Sequence, residues 1–500
     1  MSKYKTTIGM EVHVELKTNS KMFCASKNGM GEEKEPNVNI CPVCTGQPGT
    51  LPVPNRQAIE FVQLMGLALN CELSKNSKFD RKNYFYPDLP KGYQISQYDQ
   101  PLCQDGHLDI IKVIKQENMK TKRIGITRIH LEEDAGKLLH PKGANYSLVD
   151  FNRAGVPLME LVTEPDIESG AEARLFCQKL QQICRYLNIS DADMEKGHMR
   201  CEANISIYKE GEDKLSGTKV EVKNINSFKF VEKAIDYEIK RQEEILEKGE
   251  KVIQETRGFD SNRNITVSQR TKETSADYRY FPEPDIPPLK FSDEYIENLK
   301  RKLPELPEAK ALRFEKEFAL PKADVEVLVS EKDLADFFEQ TAAEIAEKIE
   351  AKEISSNQER AVKLAANYVI SELKKHLAET GESVVDIKIN PENYAELIGL
   401  VADGKINSSA AQTVLAEMYR TGGDPSHIIE EKNLSQMSDE NELEVIIEKV
   451  IKNNPKSVAD YKNGKSNALQ YLVGKVMSET KGKANPKIVL EMLKKKLNET

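Results

Sequence analysis

Glu11, His13 and Glu15 alternate with apolar residues near the start of the chain, and all three side chains can bind a metal ion. The positions around them hold Ile8, Met10, Val12, Val14 and Leu16. Because neighbouring side chains of a strand point to opposite faces, the pattern predicts a strand over residues 6–16 with one apolar face and one face of candidate ligands. The other interpretation is that Glu11 and Glu15 belong to a solvated strand face.

A second acidic cluster, Glu132, Glu133 and Asp134, follows a predicted strand over residues 124–131. If this strand lies near the first, the carboxylates and the imidazole together would suit a hard divalent cation. Sites rich in carboxylates favour Mg²⁺, especially where phosphate oxygens fill the remaining positions.

Cys41 and Cys44 have the spacing of a zinc knuckle, and Cys24 lies upstream of them. Zinc takes four ligands in a tetrahedron, but the position expected for a fourth cysteine is Ser26. Three thiols predict either a zinc site completed by an outside ligand or a knuckle held by packing alone. Eight cysteines in the chain are ordinary cytosolic usage rather than a disulfide framework.

Lys219, Glu221 and Lys223 alternate along another predicted strand, and Asn224 follows in a turn. Lysines neutralise phosphate and a carboxylate can hold the accompanying cation, so Lys219, Glu221 and Asn224 are candidate nucleotide-binding residues. The chain contains no GxxxxGK[ST] sequence, so this is not a P-loop. Taken alone, the segment also fits a solvated strand edge.

The segment 79–97 interleaves aromatic residues with Arg81, Lys82 and Lys91. Aromatic rings and cations in this pattern can stack on bases or bind phosphate. An aromatic loop buried at a subunit interface fits equally well.

The charge of the chain is unevenly distributed. Its 500 residues carry 72 Lys and Arg against 81 Asp and Glu, a net charge of -9, which on its own argues against a nucleic-acid partner. Residues 465–500, however, contain eight lysines and three glutamates. The acidic chain therefore ends in a basic segment. No apolar run reaches the ~20 residues of a membrane span, and residues 1–9 lack the apolar core of a signal peptide, so the predicted location is the cytoplasm with no membrane contact.

The elements predict an α+β protein of about three domains. Residues 1–290 read as a strand-rich domain with two amphipathic helices, over 172–187 and 228–248, and the proline-rich segment 282–288 is expected to end it. Helix follows helix thereafter, predicting a helical domain over 291–405 and a tail domain over 406–500. The polar segment 421–438 is a further candidate boundary.

These motifs together resemble the GatB family, the B subunits of the heterotrimeric tRNA-dependent amidotransferase GatCAB. The resemblance covers essentially the whole chain. The matching segments are 9–16, 41–49, 80–88, 93–97, 130–136, 150–161, 199–206, 222–227, 275–285, 405–411, 461–465 and 472–477.

The resemblance implies a mainly antiparallel cradle domain followed by all-helical middle and YqeY-like tail domains that hold tRNA. The cradle would use ATP and Mg²⁺ to phosphorylate the side-chain carboxylate of Glu-tRNA(Gln) or Asp-tRNA(Asn). Ammonia released by the glutaminase subunit GatA would then form the amide, and GatC would be the third subunit. A scaffold of the same complex that binds tRNA without catalysis is the alternative.

Site residues follow from the same resemblance. It implies that Glu11, His13 and Glu133 bind the metal, with Glu132 next to them. Asp150, Glu160, Glu202 and Glu221 form a second group of acidic candidates. Lys223 and Arg200 are expected to stabilise phosphate charge. Lys82 and Lys91 resemble family positions at the exit of the ammonia tunnel, where an ammonium ion would lose a proton or the tRNA terminus would be guided. Ser26 weakens the family's zinc knuckle in this chain.

Overall fold

A computed structural model describes residues 3–115, 118–271, 277–434, 440–462, 465–480 and 484–499. The chain divides into two compact units, Met1–Leu306 and Pro307–Thr500. The first is built on a large, mostly antiparallel sheet with helices, and the described part of the second is helical. The predicted α+β class is confirmed. No helix in these described ranges is long and apolar enough to cross a membrane.

Sixteen strands lie in the described part of the first unit. They are β1 (Tyr4–Glu15), β2 (Glu72–Leu73), β3 (Asn76–Ser77), β4 (Asp80–Asn83), β5 (Tyr93–Ser96), β6 (Cys103–Lys115), β7 (Asn118–Glu133), β8 (Lys137–Leu139), β9 (Leu148–Asp150), β10 (Pro157–Thr163), β11 (Met199–Lys209), β12 (Val220–Ile225), β13 (Glu255–Asp260), β14 (Ile265–Thr271), β15 (Phe281–Pro282) and β16 (Leu289–Lys290). Nine of them form the main sheet in the order β14-β13-β12-β11-β1-β10-β7-β6-β2. Only the β12–β13 pair in this sheet is parallel.

β1 lies at the centre of the main sheet, between β10 and β11. Its apolar residues Ile8, Met10, Val12 and Val14 are fully buried in the core of the unit. The strand predicted from alternation is therefore present, and its other face carries the polar side chains. Burying one face of β1 fixes its register, because a slip of one residue would expose every apolar side chain.

Helices cover the apolar face of the sheet. In the first unit they are α1 (Arg56–Ala68), α2 (Gly170–Tyr186), α3 (Phe228–Glu247) and α4 (Asp293–Arg301). The helices α2 and α3 match the two predicted ones, and Ser227 caps α3 by accepting a hydrogen bond from the backbone N–H of Phe230. No helix was predicted over α1. It is capped by Asn55, which follows a run marked by proline and glycine, and its buried face joins the core.

The second unit contains α5 (Pro307–Glu317), α6 (Lys322–Leu328), α7 (Lys332–Glu350), α8 (Gln358–Tyr368), a π-helical turn (Val369–Leu373), α9 (Lys374–Thr380), α10 (Pro391–Ala402), α11 (Ser408–Thr421), α12 (Pro425–Glu431), α13 (Glu440–Asn453), α14 (Pro455–Lys462), α15 (Ser466–Glu479) and α16 (Pro486–Glu499). Their described residues form two hydrophobic clusters, one from Phe314 to Ile429 and one from Leu443 to Leu497.

Two structural features lie near the expected domain boundaries. The compact units divide after Leu306 rather than at the proline-rich segment, because α4 packs on α1 and buries Leu299 in the first core. The segment 421–438 contains α12, whose Ile428 and Ile429 are buried with the preceding helices.

Candidate active site

A first cluster of candidate metal ligands forms where β1, β10 and β7 run side by side. His13 Nε2 lies 3.4 Å from Glu160 Oε2 and 3.9 Å from Glu132 Oε1. His13 and Glu160 are direct register partners, and Glu132 comes from the end of β7. The three potential ligand atoms all lie within 4.8 Å of one another. The register of the sheet therefore sets the geometry of this cluster.

A second imidazole, that of His130, faces the same carboxylates. His130 Nε2 lies 3.2 Å from Glu160 Oε2 and 3.8 Å from Glu132 Oε2. Burial opposes the charged imidazole, but the carboxylates outweigh it and raise the pKa of His130 to about 9. Burial also works against the ionised form of Glu160, yet the two imidazoles hold its pKa well below the ordinary value. The carboxylates thus remain ionised at neutral pH, which is the state that a cation requires.

A second cluster lies two residues earlier on the same face of β1. Glu11 is the register partner of Glu202 on β11, and Glu221 lies on the next strand, β12. One carboxylate oxygen from each of these residues lies within 4.8 Å of the others. Asn204 donates from Nδ2 to Glu11 at 2.7 Å, and Thr256 donates from its hydroxyl to Glu221 at 2.6 Å. These donors fix the carboxylates in place while leaving further oxygen lone pairs for a ligand.

Lys223 is the cation of this second cluster. Its Nζ lies 2.6 Å from Glu202 Oε2 and 3.4 Å from Glu221 Oε1. Burial of Lys223 disfavours its ammonium form, but Glu202 and Glu221 more than compensate and raise its pKa, so the side chain stays charged. Lys219 is exposed just before β12, and Asn224 is exposed with a φ of 62°. Of the three predicted nucleotide-binding residues, Glu221 therefore lies within a cluster, whereas Lys219 and Asn224 flank it along the chain.

Arg200 and Glu15 meet at Asp134, at the end of the polar face of β1. Arg200 Nη2 donates to Asp134 Oδ2 at 2.7 Å, and Arg153 Nε lies 3.6 Å from the same oxygen. Burial and the adjacent Asp134 raise the pKa of Glu15 to about 9. Although Asp134 is also buried, the two arginines and a hydrogen bond from Glu15 lower its pKa to about 2. Glu15 is therefore a protonated acid at neutral pH and not a free metal ligand.

Lys82 approaches the first cluster from β4. Its Nζ lies 5.1 Å from the centroid of the Tyr278 ring. Burial disfavours the ammonium group, but the nearby carboxylates of Glu132 and Glu160 raise its pKa. Lys82 also contributes to lowering the pKa of Glu132. A permanent positive charge therefore borders the His13 cluster.

Glu133 takes part in a different contact from its neighbour Glu132. Alternation along β7 turns the two side chains to opposite sides, and Glu133 forms an ion pair with Lys91 and accepts a hydrogen bond from the Ile95 backbone at 3.0 Å. The structure thus brings Glu132, rather than the expected Glu133, to His13.

Asp150 lies on β9 outside both clusters. Its Oδ1 accepts hydrogen bonds of 3.0 Å from the backbone N–H groups of Asn37 and Asn152. These hydrogen bonds connect the segment that contains Asn37 to the segment that contains Asp150 and Asn152. The pattern of acidic residues in the sequence did not distinguish this structural carboxylate from the clustered ones.

The three knuckle cysteines come together near the Lys91–Glu133 pair. The sulfur atoms of Cys24, Cys41 and Cys44 lie within 4.8 Å of one another. A hydrogen bond from Cys24 and other contacts lower the pKa of Cys44 to about 5, despite its burial. Cys24, Cys44, Lys91 and Glu133 line a common cavity of about 210 Å³. A tetrahedral zinc site would fit these three thiols only with a fourth ligand from elsewhere.

The sequence pattern did not single out His130, and it ranked Glu160 below Glu133. The sequence did contain a signal for His130. It lies two residues before Glu132 on the same strand, so the two side chains must share a face. The placement of Glu160 required the strand order, which sequence alone did not supply.

Comparison with known proteins places this geometry in a defined class. Residues 6–297 match the GatB/GatE catalytic domain, and residues 336–497 match the family described as the GatB domain. Both clusters lie in the first of these regions. The site therefore belongs to a GatB/GatE-type catalytic domain.

Full-length relatives agree with this result. The B subunit of the aspartyl/glutamyl-tRNA(Asn/Gln) amidotransferase of Persephonella marina is 50% identical, with 99% of each chain aligned. Proteins of the same name from Caldanaerobacter subterraneus and Thermotoga maritima are each 49% identical, with at least 99% of both chains aligned. The chain belongs to the GatB family, as the resemblance of its motifs indicated.

Proposed function

We propose that this chain is the B subunit of a tRNA-dependent amidotransferase and that it activates the side-chain carboxylate of Glu-tRNA(Gln) or Asp-tRNA(Asn) with ATP. Ammonia from the glutaminase subunit GatA then converts the activated group to the amide, and GatC completes the heterotrimer. The observation that carries the proposal is the pair of acidic clusters on one face of β1, around Glu11 and around His13. Glu11 and His13 are two residues apart on the strand, so the two clusters are separated by about 7 Å along β1. This spacing suits a phosphoryl donor and its acceptor.

Both clusters fit Mg²⁺. Each offers three potential ligand atoms within 4.8 Å of one another, mostly carboxylate oxygens, the ligands that this ion prefers. His13, Glu132 and Glu160 would hold one ion, and Glu11, Glu202 and Glu221 another. Bound Mg²⁺ would neutralise and orient the phosphate oxygens.

Three positively charged side chains of the protein would assist the same phosphoryl transfer. Lys223 lies at the Glu11 cluster and would pair with phosphate oxygens of the nucleotide. Lys82 lies at the His13 cluster and would hold the substrate carboxylate. Arg200, fixed by Asp134, would face the charge that develops during transfer. Activation is necessary because oxide is a very poor leaving group from a carboxylate, whereas phosphate leaves readily, and exclusion of water would protect the activated acid from hydrolysis.

Lys91 and Glu133 would serve the entry of ammonia. They form an ion pair at the cavity of about 210 Å³ on the side of the sheet turned away from Glu132. Ammonium arriving there could give up a proton to Glu133, so that neutral ammonia reaches the acyl phosphate. Zinc held by Cys24, Cys41 and Cys44 beside this cavity would be structural and would need an outside fourth ligand.

The remaining parts of the proposal concern domains. Residues 1–290 would form the cradle that receives the acceptor end of tRNA, and the helical region 291–405 and tail 406–500 would bind the tRNA body. The basic segment at the end of the chain supports this assignment. Lys475 is exposed in this segment and Lys462 is exposed just before it, whereas Lys481 and Lys483 lie outside the described residues.

Transfer of labelled γ-phosphate tests the proposal. The GatCAB heterotrimer, given mischarged tRNA and labelled ATP without glutamine, should form a labelled acyl phosphate that hydroxylamine converts to a hydroxamate. Uncharged tRNA is the control and should give none. A heterotrimer that binds tRNA and forms no labelled species would support the scaffold alternative instead.

A further inference from the structure

A cavity of about 1010 Å³ is lined mainly by residues of the segments 83–88 and 277–281, and half of its lining residues are aromatic. Its rings are those of Tyr84, Phe85, Tyr86, Tyr278 and Phe281. Three of these are unusually exposed for their type, with relative exposures of 90% for Phe85, 62% for Tyr86 and 44% for Phe281. A contiguous group of exposed rings at the rim of a cavity indicates a binding site.

Two contacts connect this cavity, hereafter the aromatic cavity, to the candidate active site. Lys82 lies over the ring of Tyr278, and the same ammonium group is electrostatically coupled to Glu132 and Glu160. Tyr84 packs edge-on against Tyr278, with ring centroids 6.0 Å apart. Lys82 therefore lies between Tyr278, which lines the aromatic cavity, and the carboxylates of the His13 cluster.

The wall formed by residues 277–281 is held in an unusual backbone conformation. Arg279 has a φ of 45°, in the left-handed region that a residue with a large side chain rarely adopts. Asn83 maintains it, because its backbone N–H donates to the Tyr278 carbonyl at 2.9 Å and its Nδ2 donates to the Arg279 carbonyl at 2.8 Å. Strained backbone held in this way is concentrated at binding and catalytic sites.

We propose that the aromatic cavity binds the 3′-terminal adenine base of the aminoacyl-tRNA by stacking. This inference rests on the proposed function. In an aminoacyl-tRNA the amino acid is esterified to the ribose of the terminal adenosine, so a carboxylate held at Lys82 requires the base to lie within a ribose and an amino acid's length of it. Aromatic rings offer the faces on which unpaired bases stack.

Fluorescence of the base itself provides the direct test. A tRNA whose terminal adenosine is replaced by 2-aminopurine nucleoside should lose fluorescence on binding to the GatCAB heterotrimer, since stacking quenches this base. The variants Phe281→Leu and Phe85→Leu, both at exposed positions, should lose most of the quenching. They should also raise KM for mischarged tRNA about tenfold, the order of one lost stacking contact. KM for ATP and glutaminase activity should not change.

Two control variants complete the design. Phe281→Tyr keeps an aromatic face and should behave as the wild type. Tyr146→Leu removes a tyrosine that is 61% exposed and does not line the cavity, so it should leave quenching unchanged.

The outcomes separate this inference from the proposed function. If the wild-type complex amidates mischarged tRNA but does not quench 2-aminopurine, or if both leucine variants quench fully, the inference is wrong and the proposed function stands. If the leucine variants fail to retain GatA during purification, the exposed rings form a protein interface and the inference is also wrong. If the wild-type complex performs no amidation, the proposed function itself fails.

Discussion

His13 on β1 and Glu160 on β10 stand directly opposite each other in an antiparallel register, with His13 Nε2 3.4 Å from Glu160 Oε2. Glu132 and His130 from β7 complete this cluster around the same carboxylate. Three neighbouring strands thus contribute one candidate site without any loop. Rigid elements of this kind hold ligands more accurately than loops do.

Replacing His13 tests the metal role of this cluster. His13→Ala removes one of three proposed ligands, and we expect at least about a hundredfold loss of tRNA-dependent amidation and of phosphate transfer, because even the loss of an outer-shell partner of a metal ligand typically costs about 10- to 100-fold. Glutaminase activity of the heterotrimer should be unchanged. His140→Ala, at an exposed position, is the matched control. Full amidation by His13→Ala would refute the metal assignment.

Replacing Lys223 tests the second cluster. Lys223→Met removes the ammonium group that lies 2.6 Å from Glu202, and we expect a loss of kcat for phosphate transfer of about a hundredfold because the charge would face the transferring phosphate. Lys219→Met removes an exposed lysine four residues earlier and should have a much smaller effect. Equal losses in the two variants would contradict the separate role of Lys223.

The sequence predicted the elements better than the grouping of the side chains. Alternation along β1 correctly placed Glu11, His13 and Glu15 on one face. It did not reveal that each of these side chains has a different partner. Glu11 lies opposite Glu202, His13 lies opposite Glu160, and Glu15 lies against Asp134. These groupings depend on the strand order, which is a long-range property.

The helices show the same limit: local sequence patterns predict elements but not the contacts between them. Amphipathic periodicity predicted α2 and α3 to within two residues of their ends. The helix α1 was missed because Pro52 and Pro54 precede it and no boundary signal other than Asn55 marks its start. Nothing in the local pattern could show that α4 packs on α1, and this contact places the end of the first compact unit after Leu306.

Glu15 should make the stability of the protein depend on pH. Its pKa is raised to about 9 in the fold, so the native state holds a proton that the unfolded chain releases above its ordinary pKa of 4.5. The stabilisation is complete below pH 4.5 and is lost as the pH rises towards 9. Glu15→Gln cannot ionise, so its Tm relative to the wild-type heterotrimer should increase between pH 6 and pH 9.

The control for this measurement is Glu35→Gln, at an exposed position. Its Tm difference from the wild type should be the same at both pH values. A constant difference for Glu15→Gln as well would show that Glu15 is ionised in the folded protein.

The tail lysines should differ in their contribution to tRNA binding. Lys475 is exposed, whereas Lys496 is held by Glu444 and Glu448 at 2.5 Å each. Lys475→Gln should reduce the slope of log affinity against log salt by about one unit, the value for one lost phosphate contact. Lys496→Gln should leave the slope unchanged, because that charge is already neutralised. Filter binding of tRNA over a range of salt concentrations gives both slopes, and equal reductions would contradict the distinction.

The knuckle can be completed by a single substitution. Ser26 lies close enough to Cys24 to counteract the raised pKa of that thiol, so its side chain is near one of the three knuckle cysteines. Ser26→Cys would supply a fourth thiolate to the tetrahedron that zinc prefers, and we expect zinc affinity to rise at least tenfold. Competition with a chromogenic chelator measures the change, and Ser74→Cys, away from the three thiols, controls for the addition of a cysteine. If Ser26→Cys binds zinc no more tightly than the wild type, the fourth ligand already comes from elsewhere or the three sulfur atoms do not form a zinc site.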